Sequence, residues 1–184
     1  MKANAYVDIE TLGAEDTGLA PPLMRSRLLS ILHGYFEQQP GRHAVALTHN
    51  PGTLRIFATA RTDFDAMVTA IGSHPWVRDY ARVGYPREAP PNFQGPWMAF
   101  RRYRIPTVKS DRNAVDGVSL LRERRIAEAR SKRLEYFRLQ SRSTNQVFVL
   151  TVERIPCTTA RSEFTPDSYG LSTTSNVFGL PQVP

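Results

Sequence analysis

Four histidines are the residues of this chain best suited to proton transfer near neutral pH, because imidazole readily exchanges its proton there. They are scattered along the chain at His33, His43, His49 and His74, without a cluster of carboxylates at the spacing of metal ligands. The sequence has no GxGxxG, Walker A or HExxH motif, and no Cys/His or Ser/His/Asp signature stands out. We therefore expect no metal and no cofactor.

The positive charge of the chain is concentrated in one segment. The net charge is +7, and residues 101–142 hold 13 Lys or Arg against 5 Asp or Glu, a local charge of +8. The remainder carries 11 basic and 12 acidic residues. Arginines make up 11 of the 13 cations in the segment, and planar guanidinium groups suit phosphates and base edges. A solvated basic face is one interpretation, but a segment that binds a polyanion is better supported.

RNA is a polyanion that carries its own nucleophile, the ribose 2′-hydroxyl. An enzyme that aligns this hydroxyl with the next phosphate must move a proton, hold the sugar and stabilise charge on the phosphorus. A histidine can move the proton, Ser or Tyr hydroxyls can hold the ribose, and Lys or Arg can balance the phosphate charge. All these residue types are present, although composition alone does not establish a site.

One histidine lies inside a predicted helix. The stretch RLLSILHGYF, residues 27–36, has the periodicity of an amphipathic helix, and His33 falls beside its apolar stripe. Periodicity alone leaves open whether His33 packs in the core, faces solvent or belongs to a site, and the first two are more common. The predicted stripe consists of Leu28, Ile31, Leu32 and Tyr35.

The first half of the chain predicts alternating strands and helices. Strands are expected at residues 5–10, 44–48, 54–60 and 80–86, with helices from about Pro22 to Gln38 and over residues 62–73, where Thr62 is the predicted N-cap. The order β-α-β-β-α-β is the ferredoxin-like plan, which RNA-binding modules share but which hosts many functions.

The second half has a different character. Residues 87–97 are rich in proline and predict a linker. Beyond it we predict a basic extended segment, an arginine-rich helix over residues 118–134 and two strands around a turn at residues 142–145. The predicted class is α+β, with a ferredoxin-like domain at residues 1–95 and a smaller α/β RNA-binding domain, which carries the arginine-rich helix, at residues 96–184.

Two bulk features bear on location. Cys157 is the only cysteine, which excludes an intramolecular disulfide and fits a reducing compartment. No run approaches 18 apolar residues, and the first ten residues do not have a signal-peptide pattern. We expect a cytoplasmic protein without a membrane partner.

Several short motifs follow one another in an order that resembles a known family. YVDI, LHGYF and HPWV precede LQSRSTNQVFVL, residues 139–150, and SYGLS, residues 168–172. These motifs, over nearly the whole chain, resemble the CRISPR repeat-cleaving endoribonucleases of subtype I-F, which belong to the repeat-associated RNA-binding superfamily. The most specific pattern, S-x-S-T-x-Q-x-F, is met by Ser141, Ser143, Thr144, Gln146 and Phe148.

The resemblance implies a metal-independent endoribonuclease that cuts repeat RNA at the 3′ base of a hairpin. Attack by the 2′-hydroxyl would leave a 2′,3′-cyclic phosphate and a 5′-hydroxyl. The enzyme would then stay on the crRNA 3′ stem-loop, together with the other subunits of a type I-F surveillance complex. Its arginine-rich helix would enter the major groove, which in A-form RNA is normally too deep and narrow but is more open near the end of a short stem.

The resemblance also implies site residues. His33 matches the catalytic histidine that is the proposed base, Ser141 matches the serine that holds the ribose, and Tyr169 matches the tyrosine near that histidine. Loop hydroxyls, an aromatic residue at the foot of the stem and basic residues of the charged segment complete the expected RNA-binding set: Ser143, Thr144, Phe148, Arg101, Arg102, Arg104, Lys109, Arg122, Arg124 and Arg125.

One segment departs from the family pattern. Family members place an Arg and a Gln just before K-S-N to read bases at the bottom of the stem. Lys109 fits, but an ungapped match puts Ile105 and Thr107 at the reading positions, unless a shifted register gives the task to Arg102 or Arg104. We therefore expect the repeat to have a different closing sequence.

Two alternatives stay open from the residues alone. A non-catalytic subunit could bind the crRNA hairpin without cutting it, and a generic basic ferredoxin-like protein could bind RNA of many kinds. Taken singly, Ser141 is a turn hydroxyl, Tyr169 is a packed aromatic, and Phe148 could be core because it alternates with Leu150 and Val152.

Overall fold

The computed structural model describes residues 3–12, 21–107, 120–157 and 165–184. Within these ranges the chain forms two antiparallel sheets and four helices. The mixed α+β class predicted from the sequence is confirmed, whereas the ferredoxin-like plan and the division at residue 95 stay predictions. Among the described residues, no helix combines the length and the apolar character needed to cross a membrane.

The first sheet and three helices lie within residues 5–88. The strands are β1 Ala5–Thr11, β2 Ala44–Leu47, β3 Thr53–Ala58, β4 Ala81–Val83 and β5 Arg87–Glu88. Their order in the sheet is β2-β3-β1-β4, and β5 pairs with the same edge of β1 as β4 does, at the other end of that strand. The helices are α1 Pro21–Phe36, α2 Asp63–Gly72 and α3 Pro75–Tyr80.

The second sheet has four described strands, β6 Trp97–Tyr103, β7 Glu135–Gln140, β8 Val147–Cys157 and β9 Leu180–Pro181, and the helix that accompanies it is α4 Leu120–Ser131. The strand order is β7-β8-β6-β9. The long β6–β8 pairing runs from Trp97 opposite Cys157 to Tyr103 opposite Thr151. Residues 118–119, at the start of the predicted arginine-rich helix, lie outside the described residues.

Three local details of the first half of the chain differ from the predictions. Thr62 precedes α2 as predicted, but its side chain makes no capping hydrogen bond, and Asp63 instead accepts from the N–H of Ala60. Helix α3 was not predicted; it begins with a proline, and His74 caps it by accepting from the N–H of Trp76. The predicted linker 87–97 begins as strand β5, and Ala89 after it is buried.

Helix α1 lies against both sheets and is the element that positions the site. Its buried apolar side chains are Met24, Leu28, Leu29, Leu32 and Phe36, and the last four belong to one core with residues of both sheets. Ile31 and Tyr35, which the sequence assigned to the buried stripe, are partly buried: they pack against this core and also line a surface cavity.

Polar groups hold α1 against β7. The guanidinium of Arg25, almost fully buried, lies 2.6 Å from the carboxylate of Glu135, and Arg154 donates to the same carboxylate and to the carbonyl of Thr48. The hydroxyl of Ser26 accepts from the backbone N–H of Arg138 at 3.0 Å. These bonds fix the distance between α1 and the turn that follows β7.

Candidate functional site

His33 lies near the C-terminal end of α1 with its side chain only 17% exposed. Its Nδ1 is 2.7 Å from the carbonyl oxygen of Ser168, 135 residues away in sequence. Because a carbonyl can only accept, Nδ1 carries the proton and donates it. In the neutral ring, the lone pair is therefore on Nε2, which is the atom able to take a proton.

Tyr169 covers one face of the His33 ring. The two rings are stacked with centroids 4.0 Å apart and planes 12° apart, and Phe148 meets Tyr169 edge-on at 6.5 Å. Burial raises the pKa of the Tyr169 phenol above its ordinary value, although nearby Arg102 acts in the opposite direction. The hydroxyl of Tyr169 therefore stays protonated near neutral pH and can donate a hydrogen bond.

The segment 167–171 is shaped to deliver Ser168 and Tyr169 to α1. The carboxylate of Asp167 accepts from the N–H groups of Tyr169 and Leu171 at 2.9 and 3.0 Å. Gly170 has φ +76°, and its carbonyl accepts from the N–H of Val45 in β2 at 2.8 Å. A Cβ at Gly170 would lie 2.6 Å from the Val45 side chain, so both the backbone angle and the close approach require glycine.

Ser141 begins the turn between β7 and β8. Its N–H donates to the carbonyl of Gln146, and its Oγ accepts from the N–H of Thr144 at 3.3 Å and lies 3.2 Å from the Oγ of Ser143. Asn145 completes the turn with φ 55°, a left-handed conformation that Asn tolerates. Because the N–H of Thr144 takes only a lone pair of Ser141, the hydroxyl proton of Ser141 can be donated either to the Oγ of Ser143 or to a ligand.

One cavity brings these residues together. We call it the site cavity; it has a volume of about 280 Å³ and lies between α1, the turn after β7 and the segment 167–171. His33, Ser141 and Tyr169, the three residues expected to be catalytic, all line it. So do Ser143 and Phe148 from the expected RNA-binding set, together with Glu37 and Arg142. Thr144 is exposed in the same turn and supports Ser141 through its N–H.

Glu37 and Arg142 are site-cavity residues that the sequence analysis did not single out. Glu37 Oε1 is 3.3 Å from His33 Nε2, and Glu37 Oε2 is 3.7 Å from the Arg142 guanidinium. The i,i+4 spacing of His33 and Glu37 on a helix was the available signal for the first contact. Arg142 occupies a variable position of the S-x-S-T-x-Q-x-F pattern, so this motif gave no indication of the contact between Arg142 and Glu37.

The arginine-rich helix α4 borders a second cavity, which we call the helix cavity. It has a volume of about 770 Å³, and Phe148 lines it as well as the site cavity. Its floor includes the exposed apolar side chains of β7 and β8, and its rim is basic. The basic residues are Arg122, Arg130 and Arg133, and the apolar ones include Tyr136, Val147 and Val149.

The residues considered for base reading line two different cavities. Ile105 and Thr107, at the ungapped reading positions, line the helix cavity, and the carbonyl of Pro106 accepts from Arg122 at 3.0 Å. Arg102 and Arg104 line a separate cavity of about 240 Å³. Lys109 lies outside the described residues.

An adjacent side of α4 is tied to the second sheet. Arg125 lies over the ring of Tyr103 at 5.0 Å, and the Tyr103 hydroxyl donates to Glu128 at 2.6 Å. Hydrogen bonds from Lys132 and Tyr103 lower the pKa of Glu128 to about 2. Arg101 makes a 2.7 Å ion pair with Glu153, whereas Arg124 is exposed on the helix. Arg101 and Arg125 are therefore engaged in contacts within the protein.

The arrangement has the parts for metal-free chemistry on a phosphodiester. It offers an imidazole nitrogen with a lone pair, hydroxyls that can donate, and a guanidinium beside them. Through Phe148 it adjoins the helix cavity, whose basic rim suits a polyanion. Phosphates and riboses are the groups that such donors and cations bind.

Comparison with known proteins agrees with the resemblance of the motifs. The chain matches the family described as CRISPR-associated protein (Cas_Csy4) over residues 6–179, a range that includes His33, Ser141 and Tyr169. Among curated proteins, no relative matches the chain. The family match supports a role as an RNA-binding endoribonuclease that processes CRISPR repeats. The chain therefore belongs to the Cas_Csy4 family of CRISPR-associated proteins, of subtype I-F.

Proposed function

We propose that this protein is a metal-independent endoribonuclease that cuts CRISPR repeat RNA at the 3′ base of its hairpin through attack by the 2′-hydroxyl. It then stays on the crRNA 3′ stem-loop as a cytoplasmic subunit of a type I-F surveillance complex. The observation that carries this proposal is the site cavity, because His33, Ser141 and Tyr169 come from distant parts of the sequence and line the same space.

His33 is the base in the proposed reaction. Its Nε2 takes the proton of the 2′-hydroxyl, and the 2′-oxygen forms a bond to the adjacent phosphorus. The bond from phosphorus to the 5′-oxygen of the next nucleotide breaks, and that oxygen takes a proton from water. The products are a 2′,3′-cyclic phosphate and a 5′-hydroxyl. The carbonyl of Ser168 supports this role because it holds the proton on Nδ1.

The hydroxyls and one guanidinium hold the reacting groups. Ser141 donates to the ribose at the cut: the N–H of Thr144 takes a lone pair of its oxygen, and its hydroxyl proton turns from the Oγ of Ser143 to the ribose. The neutral hydroxyl of Tyr169 donates to an oxygen of the reacting phosphate, and the guanidinium of Arg142 balances the charge that grows there.

The stem of the hairpin occupies the helix cavity in this proposal. Arg122, Arg130 and Arg133 contact phosphates, and the exposed apolar floor packs against the terminal base pair. Phe148 lies at the boundary of the helix cavity and the site cavity, so it stacks at the foot of the stem next to the cut.

A repeat hairpin incubated with the protein in EDTA tests the function. We expect one cut at the 3′ base of the stem on a denaturing gel, and the upstream product should carry a cyclic phosphate. Replacing the 2′-hydroxyl before the cut with hydrogen should block the reaction without preventing binding. Cleavage of that deoxy substrate would exclude 2′-hydroxyl attack, and a requirement for divalent cations would exclude metal independence.

The second candidate is a subunit that binds the crRNA hairpin without cutting it. The observation in its favour is the carboxylate of Glu37, 3.3 Å from the atom of His33 that must accept a proton. A protonated Nε2 would donate to Glu37 and could not act as a base. Tight hairpin binding without any cut, across neutral and alkaline pH, would support this candidate over the nuclease.

A further inference from the structure

Three cavities follow one another across the protein. The helix cavity and the site cavity share Phe148, and the site cavity in turn shares Ser141 and Arg142 with a third cavity of about 480 Å³. We call this third space the outer cavity. It lies between α1, α2 and the turn after β7, and none of its described lining residues belongs to α4.

The lining of the outer cavity suits single-stranded nucleic acid. Within the described residues no Asp or Glu lines it, whereas two arginines, several amides and one tyrosine do. His74 accepts a backbone N–H on Nδ1, so its neutral ring presents an Nε2–H donor. The volume lies in the range of small-ligand cavities, which is enough for a nucleotide. The polar lining residues include Arg27, Tyr35, Gln38, His74, Arg142 and Asn145.

Arg142 forms the wall between the site cavity and the outer cavity. Its guanidinium lies on α1 at Gly34, where a Cβ would be only 1.8 Å from Nη2. The absence of a side chain at Gly34 therefore lets the guanidinium lie close to the helix. In this position Arg142 faces both cavities and can contact consecutive phosphates of one strand.

We propose that the outer cavity binds the single-stranded RNA immediately downstream of the cut. This proposal rests on the proposed function, because the order of the cavities gives the direction. With the stem in the helix cavity and the reacting phosphate in the site cavity, the strand that leaves the base of the stem enters the outer cavity. The downstream nucleotides are thus held by the protein before cleavage and released with the 5′-hydroxyl product.

Arg27 is the residue that tests the proposal most cleanly. It is exposed on α1, lines the outer cavity and does not line the site cavity or the helix cavity. Arg27→Ala keeps a good helix former in α1 and removes one cation. Arg61→Ala is the matched control, because Arg61 is an exposed arginine near the first sheet that lines none of the three cavities.

The experiment measures the affinity of non-cleavable hairpins, with hydrogen in place of the 2′-hydroxyl before the cut, as the downstream flank grows from no nucleotide to several. We expect the wild-type protein to gain about fivefold in affinity over the first few downstream nucleotides, mainly through phosphate contacts. Arg27→Ala should remove most of this gain and leave the affinity for the stem without a flank unchanged. Arg61→Ala should behave like the wild type.

The outcomes separate this inference from the proposed function. If the hairpin is bound and cut but the flank adds no affinity, or if Arg27→Ala leaves the gain intact, the outer cavity does not bind the downstream strand. An equal gain from nucleotides added upstream of the stem would also overturn the assignment. If the stem without a flank is not bound at all, the proposed function fails first.

Discussion

The Nδ1–H of His33 donates to the carbonyl oxygen of Ser168 at 2.7 Å, and this bond joins the first helix to a segment near the C-terminus. It decides which nitrogen of the ring can act as a base. Because Tyr169 follows Ser168 and stacks on the same ring, the segment 167–171 sets both the tautomer and the orientation of His33. Residues that shape this segment should therefore affect catalysis without touching RNA.

Asp167 is the first such positioning residue. Asp167→Ala removes the acceptor for two backbone N–H groups, and we expect the single-turnover cleavage rate to fall by up to about 30-fold, since two hydrogen bonds of about 1 kcal/mol each are lost. Asp167→Asn keeps the accepting oxygen and should stay within about twofold of wild type. Burial already raises the pKa of Asp167, so the neutral amide is a fair substitute. Equal loss in both variants would contradict a positioning role.

Tyr169→Phe separates the hydroxyl of Tyr169 from its ring. The stack on His33 should persist, and the loss of one donor to the reacting phosphate should lower the cleavage rate by about 10- to 100-fold while hairpin affinity changes little. Because burial raises the pKa of Tyr169, its ionisation should not reduce wild-type activity between about pH 6 and about pH 9. Tyr80→Phe, in helix α3, is the control. Full activity of Tyr169→Phe would show that the Tyr169 hydroxyl has no role in the reaction and that the side chain only packs on His33.

The buried ion pair of Arg25 and Glu135 should be a stability determinant. Glu135→Gln leaves the almost fully buried guanidinium of Arg25 without its carboxylate, and we expect the free energy of unfolding to fall by about 3 kcal/mol. The unfolding midpoint should drop by roughly 6–12 °C for a chain of this size. Glu88→Gln, at an exposed position in β5, should leave the midpoint unchanged. Urea or thermal unfolding followed by circular dichroism measures both, and equal midpoints would count against the prediction.

Arg122 should contribute to RNA affinity through phosphate charge. Arg122→Ala should weaken hairpin binding about fivefold and reduce the slope of log affinity against log salt by about 1. Fluorescence anisotropy over a range of salt concentrations measures the slope, with Arg61→Ala as the control. A loss of affinity with an unchanged slope would mean that Arg122 acts only by holding the segment at Pro106.

The motifs predicted which residues would lie together, but the contacts between these residues depend on the local backbone conformation. The order of LHGYF, QSRST and SYGLS predicted that His33, Ser141 and Tyr169 belong together, and all three line the site cavity. Helical periodicity placed His33 beside the apolar face of α1 but could not name Ser168 as its partner, because that contact depends on how the segment 167–171 turns. The group that fixes the tautomer is the backbone carbonyl of Ser168, and because every residue has such a carbonyl, the sequence does not indicate which one accepts from His33.

For the arginine-rich helix, the periodic pattern of the sequence did not predict which side would pack against the sheet. The sequence predicted the helix and its arginines but left its register open, and Arg122 and Arg125, three residues apart, lie on neighbouring sides of it. Because α4 has no broad apolar stripe, nothing in the sequence said which face would meet the sheet. The structure ties Arg125 to Tyr103 and leaves Arg122 at the rim of the helix cavity. Short elements such as α3 and β5 were missed for a related reason, since two to six residues are too few for a periodic signal.

The central claim is that His33 removes the proton of the 2′-hydroxyl, and single-turnover cleavage of a repeat hairpin in EDTA by wild type and His33→Ala tests it most directly. We expect His33→Ala to bind the hairpin within a few-fold of wild type and to lose cleavage by at least about 100-fold, as for removal of a general base. Cleavage by His33→Ala at a rate near that of wild type would contradict the claim.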